Sequence, residues 1–534
     1  VPHVGNARAY DFRETAPAAA SADRFLGKDG VRVDARSIVG PLSVGVPGSP
    51  KGLHEIWSAC GSGRLTFDEL VRPAIALARE GFPVDAWLAH DLASPSAREK
   101  MNAAALRIFY PGGRPLHEGE ILRQPELANT LEGLAFAGLN AFYGGRVAEK
   151  IVAEIAATPV PGLQPGAQDG PPWMTIADLS GYQVRERIPL RGWFRGMEIV
   201  SMPPPSSGGI VVLQALGILE GMPLDVQKLR AAENRAIEEQ GAKAGAKVPA
   251  HADSPLLDER MAHWWIEALR CAFADRAEHM GDPDFVSVPT RDLLSADWIA
   301  RRRVSIGQDA NPNVPAWQPS REGSQTTHLS VLDASGNAVS LTTTLNASFG
   351  SGILVADAGF FLNDEIDDFS IGANSPNQFG LVGGSANAIA PGKRPLSSMT
   401  PTVVRDGGHA NVIVIGSPGG PKIISSVLEV LLRNLVLEQP MADAVAAPRL
   451  HQQWSPSTTS FEPRFDPVIV QELANRRGHR VEIAKETFGS VQAIWLPEVG
   501  GVPIAVSDPR RGGSGAVQGG KPSVPSRPPA AGGD

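Results

Sequence analysis

A threonine-rich stretch from Gln325 to Asn346, QTTHLSVLDASGNAVSLTTTLN, constrains the fold more than any other part of the chain. Its polar Asp333-Ala334-Ser335-Gly336-Asn337 segment reads as the turn of a β-hairpin. A turn centred on Ser335 pairs Val331 with Val339 and Leu329 with Leu341, and this apolar pairing supports the register. The same register sets Thr326 opposite Thr344 on the other face of the ribbon. Directly opposed residues lie about 4.5 to 5.5 Å apart at Cβ, so the two hydroxyls can hydrogen-bond.

That pairing has a chemical meaning. A threonine hydroxyl is a poor nucleophile until a base takes its proton, and a threonine at the start of a chain carries that base itself in its α-amine. An α-amine has a pKa of about 7.7 to 8.0, so much of it is neutral near physiological pH, and no histidine is required. Thr326 becomes such a terminus if the Gln325–Thr326 bond is cut. By periodicity alone, TTHLSV is equally readable as an ordinary threonine-rich strand.

The chain is 534 residues long, enough for a large core in several domains or in one layered enzyme. Its net charge of −8 is spread over interspersed acids and bases, with no Lys/Arg cluster tracking aromatics, so nucleic acid is not an expected partner. No run approaches the roughly 18 apolar residues of a membrane span. Cys60 and Cys271 lack CxxC spacing, which excludes a cysteine zinc cage and a disulfide-stapled scaffold. Both are expected as buried thiols, a single bridge between them being the alternative. VPHVGNARAYDFRE at the start shows no signal-peptide pattern.

Helical periodicity predicts helices over Thr66 to Gly81, with Leu70, Ile75 and Leu77 apolar among small residues, and over Gln124 to Leu139, Arg146 to Ala156 and Leu257 to Met280. Strand patterns cover Arg187 to Phe194, Met197 to Met202, Thr402 to Val404 and Val412 to Ile415. Helices and strands mix without regular alternation, which predicts an α+β fold of layered sheets covered by helices and not a doubly wound sheet. Gln227 to Pro255, rich in Ala, Glu and Lys, reads as an exposed insertion. From about Gly512 the Gly/Pro/Ser-rich tail is expected to be disordered.

Four further segments can carry chemistry. In GSPGGPKIISSVLEVLLRN, Gly416 to Asn434, Pro421 suits a first helical turn, and Ile424, Val427, Leu428, Leu431 and Leu435 form one apolar stripe. The N–H groups of Gly419 and Gly420 beside that helix start suit an oxyanion, or the glycines simply make a tight turn. NDEIDDFS, Asn363 to Ser370, gathers acids that fit a solvated loop, or recognition of a substrate ammonium group. RPLSSM offers Ser397 and Ser398 to a carboxylate. PPPSSGG, Pro203 to Gly209, reads as a structural turn. GxSxG, HExxH and P-loop patterns are absent from the sequence.

Together, TTHLSVLDASGNAVSLTTTLNASFGSGI, NDEIDDFS, LVGGSANA, KRPLSSMTPT, GSPGG and PPPSSGG resemble the γ-glutamyltranspeptidase family of N-terminal-nucleophile hydrolases, from DFRE at Asp11 to SDPR at Ser507. The resemblance implies a four-layer αββα sandwich whose precursor cuts itself into 1–325 and 326–534. It implies Thr326 as nucleophile, Thr344 as its supporting threonine, and Gly419 and Gly420 as oxyanion donors. It assigns a donor α-carboxylate to Arg13, Ser397 and Ser398, and the α-amino group to Asn346, Glu365 and Asp368.

An arginine with paired acids suits the zwitterionic head of glutathione and other γ-glutamyl amides, with amino acids or dipeptides as acceptors. A glutaryl or cephalosporin acylase, whose substrates lack the α-ammonium, would leave a buried Asp368 without its partner. The resemblance implies no cofactor and no metal, and a periplasmic or extracellular location. Two departures stand out. Ten residues precede Asp11 where the family carries several dozen, including a glycine-rich strand region, so the chain is expected to be short of core strands and to expose apolar surface, and an inactive, uncut truncated homologue is the alternative to an active enzyme. Phe379 stands where the family often has a lid tyrosine.

Overall fold

The computed structural model describes residues 7–27, 29, 31–163, 170–224, 257–311, 326–371, 377–381 and 383–518. The insertion expected at 227–255, Gln325 and the tail beyond 518 lie outside the described residues. Within the expected tail, Gly512 to Gln518 carry no helix or strand, and Gly512 lies against the Trp87 ring.

The strands that frame the site are β1 (Ala9–Asp11), β2 (Arg185–Arg187), β3 (Leu190–Phe194), β4 (Met197–Ser201), β5 (Thr326–Leu332), β6 (Ala338–Thr344), β7 (Thr402–Arg405), β8 (Asn411–Gly416), β9 (Gln492–Trp495) and β10 (Ile504–Ser507). The principal helices are α1 (Phe67–Glu80), α2 (Pro125–Ala137), α3 (Arg146–Ala157), α4 (Gly208–Glu220), α5 (Glu259–His279) and α6 (Lys422–Leu435). Six strands form an antiparallel sheet in the order β10-β9-β8-β7-β4-β3. Its central seam joins β4, from before residue 326, to β7, from after it.

Helices cover this sheet, and the most apolar of them has no polar side to show. α4 buries Ile210, Val211, Val212, Leu213, Leu216, Ile218 and Leu219, the all-round apolar character of an interior helix. It packs on β3 and β4 and against α5 and α6. The hairpin β5–β6 lies on β8 and β9, so β8 is held between α6 and the hairpin. Helix, sheet and second sheet thus follow the order of an αββα sandwich. The largest core runs through Leu190 to Leu293 and Phe379 to Ala493, drawing side chains from both sides of residue 326.

The apolar pairs that fix the hairpin register point outward, with Leu329, Val331 and Val339 exposed at 43%, 44% and 42%. Three local expectations change. Strand Arg187 to Phe194 is two strands, because Pro189 lacks the N–H a continuous ladder needs; β2 pairs β1, while β3 joins the large sheet. On α1 only Ile75 and Ala78 are buried, and Leu70 and Leu77 face solvent. Both cysteines are free, but Cys60 is exposed.

Candidate active site

The hairpin pairs Thr326 with Thr344, Leu329 with Leu341 and Val331 with Val339, the register read from the turn. Asp333 closes that turn by accepting the Ser335 and Asn337 N–H groups at 2.8 Å each. Thr326 Oγ1 donates to Thr344 Oγ1 at 3.1 Å, and Thr344 Oγ1 also accepts the Asn346 N–H at 2.8 Å. Asn346 leaves the strand in the left-handed region, φ 76°, which asparagine tolerates better than most residues. Its Nδ2 donates to the Asp364 carbonyl at 3.1 Å, leaving Oδ1 as an acceptor.

His328 follows two residues later and faces the same side as Thr326, yet its nitrogens are committed elsewhere. Nδ1 meets Thr342 Oγ1 at 2.8 Å and Nε2 meets Ser330 Oγ at 3.2 Å. Burial pushes its pKa down to about 3, so the ring stays neutral. Among the described residues no histidine is bonded to the Thr326 hydroxyl.

Thr326, Thr344 and Asn346 line a cleft with ≈ 280 Å³ of empty space, shared with Arg13, Asp368, Ser397, Ser398 and Gly420. These arrive from four separate segments. Arg13 follows β1, whose pairing with β2 fixes the DFRE turn, and Asp11 Oδ1 accepts the Arg13 N–H at 3.0 Å. The Arg13 guanidinium is sunk between two acids, Nη1 2.5 Å from Glu365 Oε2 and Nη2 2.5 Å from Asp368 Oδ2. Burial alone would lower its pKa, but Glu365, Asp368 and Glu14 more than offset that and keep it charged.

The acidic segment is not a solvated loop. Asp364, Glu365 and Asp367 are fully buried, and burial raises all three carboxyl pKa values together with that of Asp368. Asp368 reaches the cleft, held by Arg13 and by Asn377 Nδ2 at 2.9 Å. Glu365 stands behind Arg13 and does not line the cleft.

Ser397 and Ser398 are braced by PPPSSGG. Ser397 N donates to Pro205 O at 2.9 Å, and Ser207 donates to Ser397 O from its N–H at 2.8 Å and its hydroxyl at 2.7 Å. Gly419 and Gly420 adopt φ 134° and 55° before α6, conformations that favour glycine. Among the described residues neither glycine N–H has an acceptor. Gly420 lines the cleft under the Phe379 ring, while Gly419 packs on Gly489.

Several contributors carry no motif. Gln453 Nε2 donates to the Phe379 carbonyl at 3.2 Å and so ties Phe379 to the segment after α6. Arg276 of α5 donates to Ser207 and Ser398. Neither position differs in sequence from an ordinary interior polar residue. A buried His263–Glu267–His479 group has the spacing of metal ligands, but Arg270 Nη1 lies 3.0 Å from Glu267 Oε1 and His263 Nδ1 is bonded to His479 Nε2 at 2.7 Å. These contacts make it a structural polar cluster.

The family description Gamma-glutamyltranspeptidase matches residues 3–518. The chain is 38% identical over 517 residues to the glutathione hydrolase proenzyme of Pseudomonas sp. (strain A14), covering 94% of this chain and 82% of that protein. It is 38% identical over 515 residues to the glutathione hydrolase proenzyme of Escherichia coli (strain K12), covering 95% and 80%. Among solved structures, the cephalosporin acylase from Bacillus halodurans superposes with a TM-score of 0.75 at 25% identity, over 94% of this chain and 83% of that one. With the paired threonines, the buried ion cluster and the glycine turn converging on one cleft, the chain belongs to the γ-glutamyltranspeptidase family of N-terminal-nucleophile enzymes.

Proposed function

We propose that the chain is cut at Gln325–Thr326 and that Thr326 then transfers the γ-glutamyl group of glutathione or a related amide. The Thr326 hydroxyl attacks the γ-carbonyl carbon while its own α-amine takes the proton. The Gly419 and Gly420 N–H groups receive the negative charge that develops on the carbonyl oxygen. The C–N bond breaks, the leaving amine takes the proton, and a γ-glutamyl ester remains on Thr326. Water releases glutamate from that ester, or an amino acid or dipeptide takes the glutamyl group.

The donor's α-carboxylate is assigned to Arg13, Ser397 and Ser398, and its α-ammonium to Asn346 Oδ1 and Asp368. Glu365 acts behind them by holding Arg13. Phe379 covers the oxyanion turn without a hydroxyl of its own. A periplasmic or extracellular location belongs to this reading by family; no helix among the described residues is long and apolar enough to cross a membrane.

The observation that carries the reading is the 3.1 Å bond between Thr326 and Thr344 in a cleft shared with Arg13 and Asp368. Thr326→Ala is expected to give one uncut chain and no turnover, read on a denaturing gel and with a γ-glutamyl anilide. A cut, active Ala variant refutes the assignment. The likeness to a cephalosporin acylase favours a second reading, acylase action on glutaryl amides. Turnover of a glutaryl anilide above that of the γ-glutamyl anilide would select it.

A further inference from the structure

Arg276 lies on α5 with 3% of its surface exposed, and among the described residues it has no ion-pair partner. Its Nε donates to Ser207 Oγ at 2.8 Å and its Nη2 to Ser398 Oγ at 3.4 Å. Burying an unpaired guanidinium is costly, and here burial drags its pKa down to about 10, with Asp368 as the only acid that opposes this. Arg13 is in the opposite position. Its Nη1 and Nη2 already face Glu365 and Asp368 at 2.5 Å each, so both arms of its fork are engaged before a further anion arrives.

The serine hydroxyls show where the uncancelled charge acts. Ser398 Oγ accepts from Arg276, and Ser397 Oγ accepts from the Met399 N–H at 3.0 Å. Among the described residues neither hydroxyl donates to a protein acceptor. Each therefore keeps an O–H for a ligand in the cleft that both serines line. A hydroxyl that accepts from a cation is also a stronger donor, because hydrogen bonds in a chain polarise one another. Beside Asp368, a smaller hollow of ≈ 220 Å³ reaches Arg276 itself, so this charge stands at the edge of the donor site.

Building on the proposed function, we infer that Arg276 is the positioning residue of the carboxylate subsite: it aims the Ser398 hydroxyl into the cleft and supplies the positive charge that Arg13 has already spent on Glu365 and Asp368. The ligand class is a carboxylate on the carbon that also bears the ammonium group. A donor lacking only that carboxylate, a 4-aminobutyryl anilide, gains nothing from Arg276.

The test compares kcat/KM for γ-glutamyl and 4-aminobutyryl p-nitroanilides in the purified, self-cleaved protein. In Arg276→Gln the γ-glutamyl value is expected to fall about ten- to a hundredfold, mainly through KM, the scale of one hydrogen bond to a charged group. The 4-aminobutyryl value should stay within about threefold, and adding Ser398→Ala should cost little more. An equal fall for both donors, or none, overturns the inference. If Arg276→Gln is not cleaved, the same ratio is read in Arg276→Lys, whose single ammonium must serve two hydroxyls; selective loss of the carboxylated donor supports the role and equal loss overturns it. A wild-type protein indifferent to the carboxylate would sink the donor-site reading itself, whereas preference retained in the variants would sink only the role of Arg276.

Discussion

Asp364 has no exposed surface, and burial pushes its carboxyl up to about 7, far above the ordinary range. Its oxygens accept from the Ala347 N–H at 2.9 Å and Gln378 Nε2 at 3.3 Å, so the turn that carries Asn346 rests on it. A raised folded pKa gives stability that is complete below the unfolded value of about 3.9 and is lost as pH rises through the folded one. Asp364→Asn fixes the neutral form. The variant should therefore gain on the wild type by about 1.4 kcal/mol per pH unit between roughly pH 4 and 7, read from urea unfolding midpoints. A difference independent of pH would rule out the buried, proton-retaining carboxyl. The opposition of Thr326 and Thr344 was legible in the sequence, because a turn and a period of two leave one arrangement. The contact of Arg13 with Asp368 was not legible from spacing, since these residues meet only through loops and were matched by family likeness. Arg276 was hidden altogether within EALRCAFADRAEH, where Glu267, Arg270 and Asp275 are buried charges as well and nothing sets it apart from them.

At the scale of elements, the hairpin docks through polar contacts. Ser330 Oγ donates to Val414 O at 3.1 Å, and Ser340 Oγ donates to Ile415 O at 3.0 Å, so hydroxyls bridge to carbonyls of β8. That is why the turn and alternation predicted the register but not which face lies inward. An apolar pair sets register equally well on either side, and here the interior is a layer of hydroxyls around a neutral imidazole. Gly416, at the end of β8, makes that layer possible, because a Cβ there would lie 2.2 Å from the His328 ring. Gly416→Ala should lift the hairpin from the sheet, cost about 1 to 3 kcal/mol as an overpacked site does, and leave much of the protein uncut. Complete cleavage with an unchanged melting temperature would show that the ring can move aside. Helix α6 was legible from its one apolar stripe after Pro421, whereas α4, apolar on every side, shows no helical period and was not predicted.

At the scale of the whole molecule, one sheet and one core are assembled from both sides of residue 326. β4 and β7 pair along Glu198 to Ser201 and Thr402 to Arg405, and the largest apolar cluster draws on both halves. The products 1–325 and 326–534 should therefore elute together on a native sizing column and separate only in denaturant; two peaks without denaturant would contradict the shared sheet. The breadth of this sharing was not legible, because sequence periodicity finds strands but not their neighbours across two hundred residues. The β4–β7 seam lies beside the hairpin, since β7 touches β6. A lesion along the seam is therefore expected to disturb the Thr326–Thr344 pair and to surface first as an unripe precursor. The proportion of ripened protein is then a built-in gauge of correct assembly, readable on a gel with no substrate added.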